Sequence, residues 1–249
     1  MRSVVLTPAR YIGTLHAIDD MRLPTRLLVT LCALCILLVS CITIRENYTF
    51  KSDGSGAMEF VLDASEMGKI LKNMGMDPGK AKGAESGDGM KLAEKVAALK
   101  ALPGISKVKQ KNKDYVESIA FSFAGIEALN AALNVLMPDS TSLQHRFFAW
   151  EGNTLVRTGN KLTSELSDSG GFFGESDGDD EESKAKAAEV LKSMKYEISF
   201  TFKDDIRAAD LAPGIERISN GTKQLTAKTD WGVLTADPRA LDMRIDLSK

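Results

Sequence analysis

Cysteine is scarce in this 249-residue chain and confined to its front: Cys32, Cys35 and Cys41, with none beyond. A fold built on internal disulfides is therefore excluded downstream of residue 41, as is a cysteine metal cluster. Histidine is nearly as rare, with His16 and His145 only. No His/Cys/Asp cluster has metal-ligand spacing, and His145 alone at a strand start reads as a surface or structural residue. Neither charge sign is in large excess. Of 32 basic and 34 acidic residues, four arginines and two aspartates precede residue 41, leaving 28 against 32. A mildly acidic chain offers no electrostatic case for nucleic acid.

The usual catalytic signatures are missing too. There is no Gly-x-Ser-x-Gly elbow, and Asp53-Gly54-Ser55-Gly56 reads as a hairpin turn. Gly79-Lys80-Ala81-Lys82-Gly83 lacks the spacing of a phosphate loop. Asp204-Asp205 reads as the first turn of a helix, where negative charge suits the dipole. No enzyme is expected, and no metal or other cofactor. A carboxylate pair brought together only by folding lies beyond sequence patterns.

One apolar run stands out, Leu27 to Cys41 (LLVTLCALCILLVSC). It is short for a membrane span, which needs about 20 residues, and fits the core of a secretory signal better. Arg22 and Arg26 precede it as a positive flank, and the chain turns polar at once after Cys41. Leu38-Val39-Ser40-Cys41 resembles the lipobox of bacterial lipoprotein precursors. The resemblance implies cleavage between Ser40 and Cys41, transfer of a diacylglyceryl group with palmitate-type chains to the Cys41 thiol, and a third acyl chain on the new amino terminus. Two or more acyl chains would hold the protein stably at a membrane. Cys32-x-x-Cys35 lies inside the run and would leave with it. Met21 opens a compact signal, so translation is expected to start there. The expected organisation is residues 1–20 as an upstream extension, 21–40 as the signal peptide, and 41–249 as one domain. A flexible acidic linker is expected at 161–182.

Beyond Cys41, periodicity alternates between two and 3.6. Ile42, Ile44, Tyr48 and Phe50 share one face of a strand, with Glu46 as the exception on that face. An Asp-Gly turn leads to a return strand with Met58, Phe60 and Leu62 aligned. Ser65 is placed to cap a helix from Glu66 to about Met74, and a second helix is expected from about Met90 to Leu102. Ile105 to Lys109 reads as a strand. The basic cluster Lys107, Lys109, Lys111 and Lys113 reads as a solvated turn after it, with contact to an anionic surface as the other reading. Tyr115 to Phe123 alternates strongly. A helix is expected from Gly125 to Met137, then a hairpin about Gly152-Asn153. Glu175 to Glu182 is acidic, but the ligand spacing of a calcium loop is absent. A short helix over Lys184–Met194, a strand over Tyr196–Phe202 and a last strand over Ala240–Leu247 complete the reading.

The cysteine, hairpin and Asp63-Ala64-Ser65 helix start, over about residues 38–66, resemble the opening of uncharacterised Bacteroidetes-type lipoproteins. More distantly they resemble a mycobacterial lipoprotein family proposed to bind lipid. Members of that family usually carry a C-terminal membrane helix, whereas this chain ends in polar Asp246-Leu247-Ser248-Lys249. An internal duplication is also suggested. Pro103-Gly104-Ile105 echoes Pro213-Gly214-Ile215, each after a helix-like stretch, and Ile119-x-Phe121-x-Phe123 echoes Ile198-x-Phe200-x-Phe202.

These readings converge on an α+β fold: antiparallel sheet with helices packed on one face. The expected role is that of a non-catalytic envelope lipoprotein, held to the membrane by its anchor, that binds or supports envelope components. The outer membrane facing the periplasm is the expected site, because Ile42, rather than the Asp of an inner-membrane retention signal, follows Cys41. The alternative is a binder of lipid or a small amphiphile, with a cavity between sheet and helices lined by Phe121, Phe123, Phe200 and Phe202.

Overall fold

The computed structural model describes residues 42–73, 92–137, 144–159, 193–237 and 239–248. Cys41, the stretch at 76–89, the linker expected at 161–182 and the helix expected from Lys184 lie outside them, save Ser193 and Met194 at the end of that last stretch.

In chain order the elements are β1 (Thr43–Phe50), β2 (Gly56–Asp63), α1 (Ser65–Asn73), α2 (Leu92–Ala101), β3 (Ile105–Lys113), β4 (Val116–Phe123), α3 (Ile126–Leu136), β5 (Phe148–Glu151) and β6 (Thr154–Arg157). They continue with β7 (Lys195–Phe202), β8 (Ile206–Leu211), β9 (Glu216–Ser219), β10 (Gln224–Asp230), α4 (Trp231–Ala236) and β11 (Met243–Leu247). The fold is α+β, with two mostly antiparallel sheets.

Alternation writes the first hairpin directly. Ile44, Tyr48 and Phe50 in β1 and Met58 and Phe60 in β2 are all buried on one face. Gly54 makes the turn at φ 79°, a conformation glycine adopts without steric cost. Gly56 is needed for a different reason. A Cβ there would lie 2.0 Å from the Thr49 carbonyl oxygen and 2.5 Å from the Phe123 ring.

The larger sheet runs β3-β4-β2-β1-β7-β10-β9. Every neighbouring pair is antiparallel except β1 with β7. The order reads the same outward from β1 in both directions: one inner strand (β2 or β7), then a hairpin whose second strand lies inside and whose first strand forms the edge. Strand directions on the two sides are opposed, as a two-fold axis through β1 and normal to the sheet would require. Pro103-Gly104 and Pro213-Gly214 both precede edge strands, with Gly104 at φ 77° and Gly214 at φ 85°. The duplication expected from these pairs therefore has equivalent strand order. The Ile-x-Phe-x-Phe echo does not share it, since one copy is in β4 and the other in β7, which occupy different places.

The smaller sheet, β5-β6-β11-β8, is antiparallel throughout. It packs on the aromatic face of the larger one, with the Phe148 ring 5.0 Å from Tyr48 and 6.2 Å from Phe200. Ile126, Leu129, Ala132, Leu133 and Leu136 of α3 are buried, the i, i+3, i+4, i+7 stripe of a helix lying on a core. Two polar residues of the same helix hold the approach to β5. Asn130 donates to the Phe148 carbonyl at 2.9 Å and accepts from its amide at 2.8 Å. Asn134 does the same for His145, at 2.9 and 2.8 Å. Each carboxamide thus satisfies backbone groups as a neighbouring strand would.

Three expectations need correction. The basic cluster is not in a turn: Lys107, Lys109, Lys111 and Lys113 belong to β3, and the turn is Asp114-Tyr115. Asp204-Asp205 does not open a helix, and the helix-like stretch before Pro213 is strand β8. Pairing with β11 overrides its weak β propensity. Ser65 is the first residue of α1 rather than a residue before it, and its amide donates to the Asp63 carboxylate at 3.1 Å.

Candidate functional site

The expected lipid-attachment and cleavage residues, Cys41 and Ser40, lie outside the described residues. The residue after them does not. Ile42 is 1% exposed, its carbonyl accepts the Lys195 amide at 3.0 Å, and β1 begins at the next position. The folded core thus starts one residue after the expected attachment point, with no spacer in between.

Glu46, the charge that broke the alternation of β1, does point inward. It is 0% exposed and faces Arg157 of β6, itself 2% exposed. The Arg157 guanidinium donates through Nη2 to Glu46 Oε2 at 3.3 Å and through Nη1 to the Leu241 carbonyl at 3.2 Å. Tyr48 Oη donates to the same carboxylate oxygen at 2.8 Å, and Tyr196 Oη donates to Oε1. The guanidinium carbon also lies 5.7 Å from the centroid of the Phe148 ring. Arg157 Nε has no hydrogen-bond partner among the described residues. The centre joins the sheets electrostatically: carboxylate and phenols from the larger one, guanidinium from the smaller.

Burial and the nearby Glu46 charge hold both phenols well above the usual tyrosine value. They stay protonated and act as donors. Burial alone would lower the Arg157 pKa, but Glu46 together with Tyr196 and Tyr48 outweighs it, and the guanidinium is held above its ordinary value. Chemically this is a buried carboxylate that accepts from three side chains. Removing one partner of such a pair costs about 3–5 kcal/mol, because it leaves an uncompensated buried charge.

Phe121, Phe123, Phe200 and Phe202 are each no more than 4% exposed. Phe123, Phe200 and Phe202 have rings as neighbours. Phe50 stacks on Phe202 at 5.6 Å and meets Phe123 edge-on at 5.5 Å, while Phe200 stacks on Phe202 at 6.1 Å and on Tyr48 at 5.5 Å. These are packed-core distances, and a ligand among them would have to part the rings. His145 is half-buried, its backbone clamped by Asn134. No group of three or more His, Cys, Asp or Glu is placed to hold a metal among the described residues. No described helix is long and apolar enough to cross a membrane.

Sequence reasoning noticed Glu46 but did not find its partner. A signal existed: Arg157 follows Leu155 at period two in β6, which is also the inward phase, and a buried charge calls for an opposite one.

Fold and centre together define a two-sheet α+β protein with a buried ion pair between its sheets. No family model matches the chain, and no curated protein matches it. Among solved structures, the NMR structure of the folded domain of Mycobacterium tuberculosis LppM matches with a TM-score of 0.42 and 14% identity, over 83% of this chain and 89% of that one. At that distance the likeness carries no argument about family or activity.

Proposed function

We propose that this chain is a non-catalytic bacterial cell-envelope lipoprotein, anchored through acylated Cys41, that binds or supports other envelope components. One observation carries the reading. The Leu38-Val39-Ser40-Cys41 motif ends an apolar run, and the folded core begins at buried Ile42 immediately behind it. A signal cut at Cys41 would leave the core intact and set directly against the membrane. The close packing of the aromatic rings supports a role exercised through the surface rather than through an internal amphiphile cavity. The outer membrane facing the periplasm is the proposed site.

Metabolic labelling with an alkyne fatty acid tests the anchor. The wild-type chain should carry label and sediment with membranes. Cys41→Ala should lose the label while keeping the near-ultraviolet circular dichroism of the folded core. An unlabelled wild-type chain, or label retained by Cys41→Ala, would overturn the proposal. Crosslinking in intact cells would then identify bound proteins and lipids.

A further inference from the structure

We infer that the β3–β4 hairpin is a second membrane contact, which lays its lysines and Tyr115 against anionic phospholipid headgroups beside the anchor. The inference rests on the proposed anchor for its geometry, though not for its test.

Three observations point there. The first is charge. Between Ile105 and Tyr115 the chain carries Lys107, Lys109, Lys111 and Lys113 against the single acid Asp114, in a protein of net charge −2. All four lysines are exposed. Asp114 lies 3.8 Å from Lys113, with both side chains more than four-fifths exposed, so it offsets little of the local field. Lys109, Lys111 and Lys113 pair with Ala120, Ser118 and Val116, whereas Ile119, Phe121 and Phe123 face the core. The three lysines therefore share the sheet face directed away from the smaller sheet.

The second is strain. Among the described residues the non-glycine positions with positive φ are Lys107 at 54°, Asp114 at 51° and Tyr115 at 64°. All three fall in this hairpin. A two-residue turn with both φ positive strongly prefers Asn-Gly or Asp-Gly, and a bulky residue there is an outlier. Tyr115 is nonetheless held in place. Its carbonyl accepts the Ala64 amide at 2.9 Å. Its ring lies over Gly68 of α1 so closely that a Cβ on that glycine would come within 2.1 Å of it. Yet the residue is 42% exposed, and no other large apolar residue among those described lies so open. A strained backbone that presents an aromatic to solvent invites a functional reading, and tyrosine is enriched at membrane–water interfaces.

The third is placement. Thr43 pairs with Asp63, Asp63 with Val116, and Val116 with Lys113. The hairpin tip thus stands at the end of the sheet where the chain leaves Cys41, three strand spacings away, about 14 Å. A membrane holding Cys41 lies within reach of the tip. Lysines near an anionic surface are attracted over roughly a Debye length, about 8 Å at physiological salt.

The bland reading is that edge-strand lysines only block pairing with another sheet. The opposite edge of the same sheet argues against it. β9 (Glu216-Arg217-Ile218-Ser219) carries one acid and one base and no comparable run of one sign.

The test uses the full chain, purified in detergent from whole cells of an expressing bacterium. It is reconstituted into vesicles of phosphatidylcholine alone, or of phosphatidylcholine and phosphatidylglycerol in equal parts. Acylation of lysines by a membrane-impermeant reagent is read peptide by peptide. Lys109, Lys111 and Lys113 should react severalfold more slowly in the anionic vesicles, and high salt should remove the difference. Lys203, at the opposite end of the sheet, should react equally in both. Equal rates at the β3 lysines in the two lipids, or a slowing that salt does not reverse, would overturn the contact. The mass of the peptide carrying Cys41 reports the anchor separately. Slowing without acylation supports the contact and sinks the anchor; acylation without slowing does the reverse.

Discussion

Arg45 and Glu46 are consecutive residues of β1 with opposite charges, and they do opposite things. Glu46 is sealed between the sheets with Arg157, Tyr48 and Tyr196. Arg45 lies on the other face of the same strand, with its side chain 36% exposed. There it meets Asp63 at 2.9 Å and Glu197 at 3.8 Å, and Glu197 in turn meets Lys228 at 2.8 Å. Both are cross-strand or cross-sheet ion pairs, yet water separates their energetics. The buried pair is unscreened and costly to break, whereas the outer network exchanges one set of hydrated partners for another. A one-residue step along a strand thus moves a charge from a role in fixing the two sheets to a role in solvating one.

The sharpest way to break the contrast is to remove one buried partner. Glu46→Ala or Arg157→Ala should each destabilise by about 3–5 kcal/mol in urea unfolding. Replacing both together, as Glu46→Leu with Arg157→Met, should recover part of that loss: the desolvation penalty disappears with the charges, while the Tyr48 and Tyr196 hydroxyls lose their acceptor. A double variant as unstable as the singles would show that the centre specifies more than charge balance.

The tyrosines provide the next test. A phenol held above its ordinary value of about 10 contributes stability that is fully present below pH 10 and is lost as pH rises through the folded value. Absorbance near 295 nm should therefore show Tyr48 and Tyr196 ionising only with alkaline unfolding. Tyr196→Phe should cost about 1.5–3 kcal/mol, as expected for a hydrogen bond to a charged group. Native-state ionisation of Tyr48 or Tyr196 would contradict the sealed centre.

The outer network should give the smallest effects. Arg45→Ala or Lys228→Ala should change stability by no more than about 1 kcal/mol, and added salt should shrink the change further. Its acid limb has a defined sign. Burial raises the Asp63 carboxyl, but the Ser65 hydroxyl and amide and the Arg45 guanidinium outweigh it, leaving it below the usual carboxylate value. That contribution is present above about pH 4 and lost as pH falls through the folded value. Asp63→Asn should accordingly flatten the loss of stability below pH 4.

The two ion-pair systems also show how far residue patterns reach. Period-two alternation placed Arg45 and Glu46 on opposite faces and marked Glu46 as anomalous. It identified the aromatic face of β7 and the inward Leu241, Met243, Ile245 and Leu247 of the last strand segment, all buried. The apolar stripe of α3 was equally plain. Local pattern failed where a neighbour decided the outcome. Ile206–Leu211 carries helix-friendly alanines, but β11 offered an unpaired edge. The lysine cluster looked like a turn because an edge strand needs no apolar face of its own.

What the sequence by itself determined is the periodicity, and with it most of the strands, helices and buried faces, because burial of an alternating or 3.6-spaced stripe is a local property of the chain. The apolar run and the Ser40-Cys41 motif were likewise local. The tertiary structure alone decided which strands are neighbours: β1 beside β7 across more than a hundred residues, and Arg157 opposite Glu46 at a separation of 111 residues. Those choices depend on which faces of separate elements can close over one another and leave no buried charge without its counter-charge, and no window along the chain contains both halves of that condition.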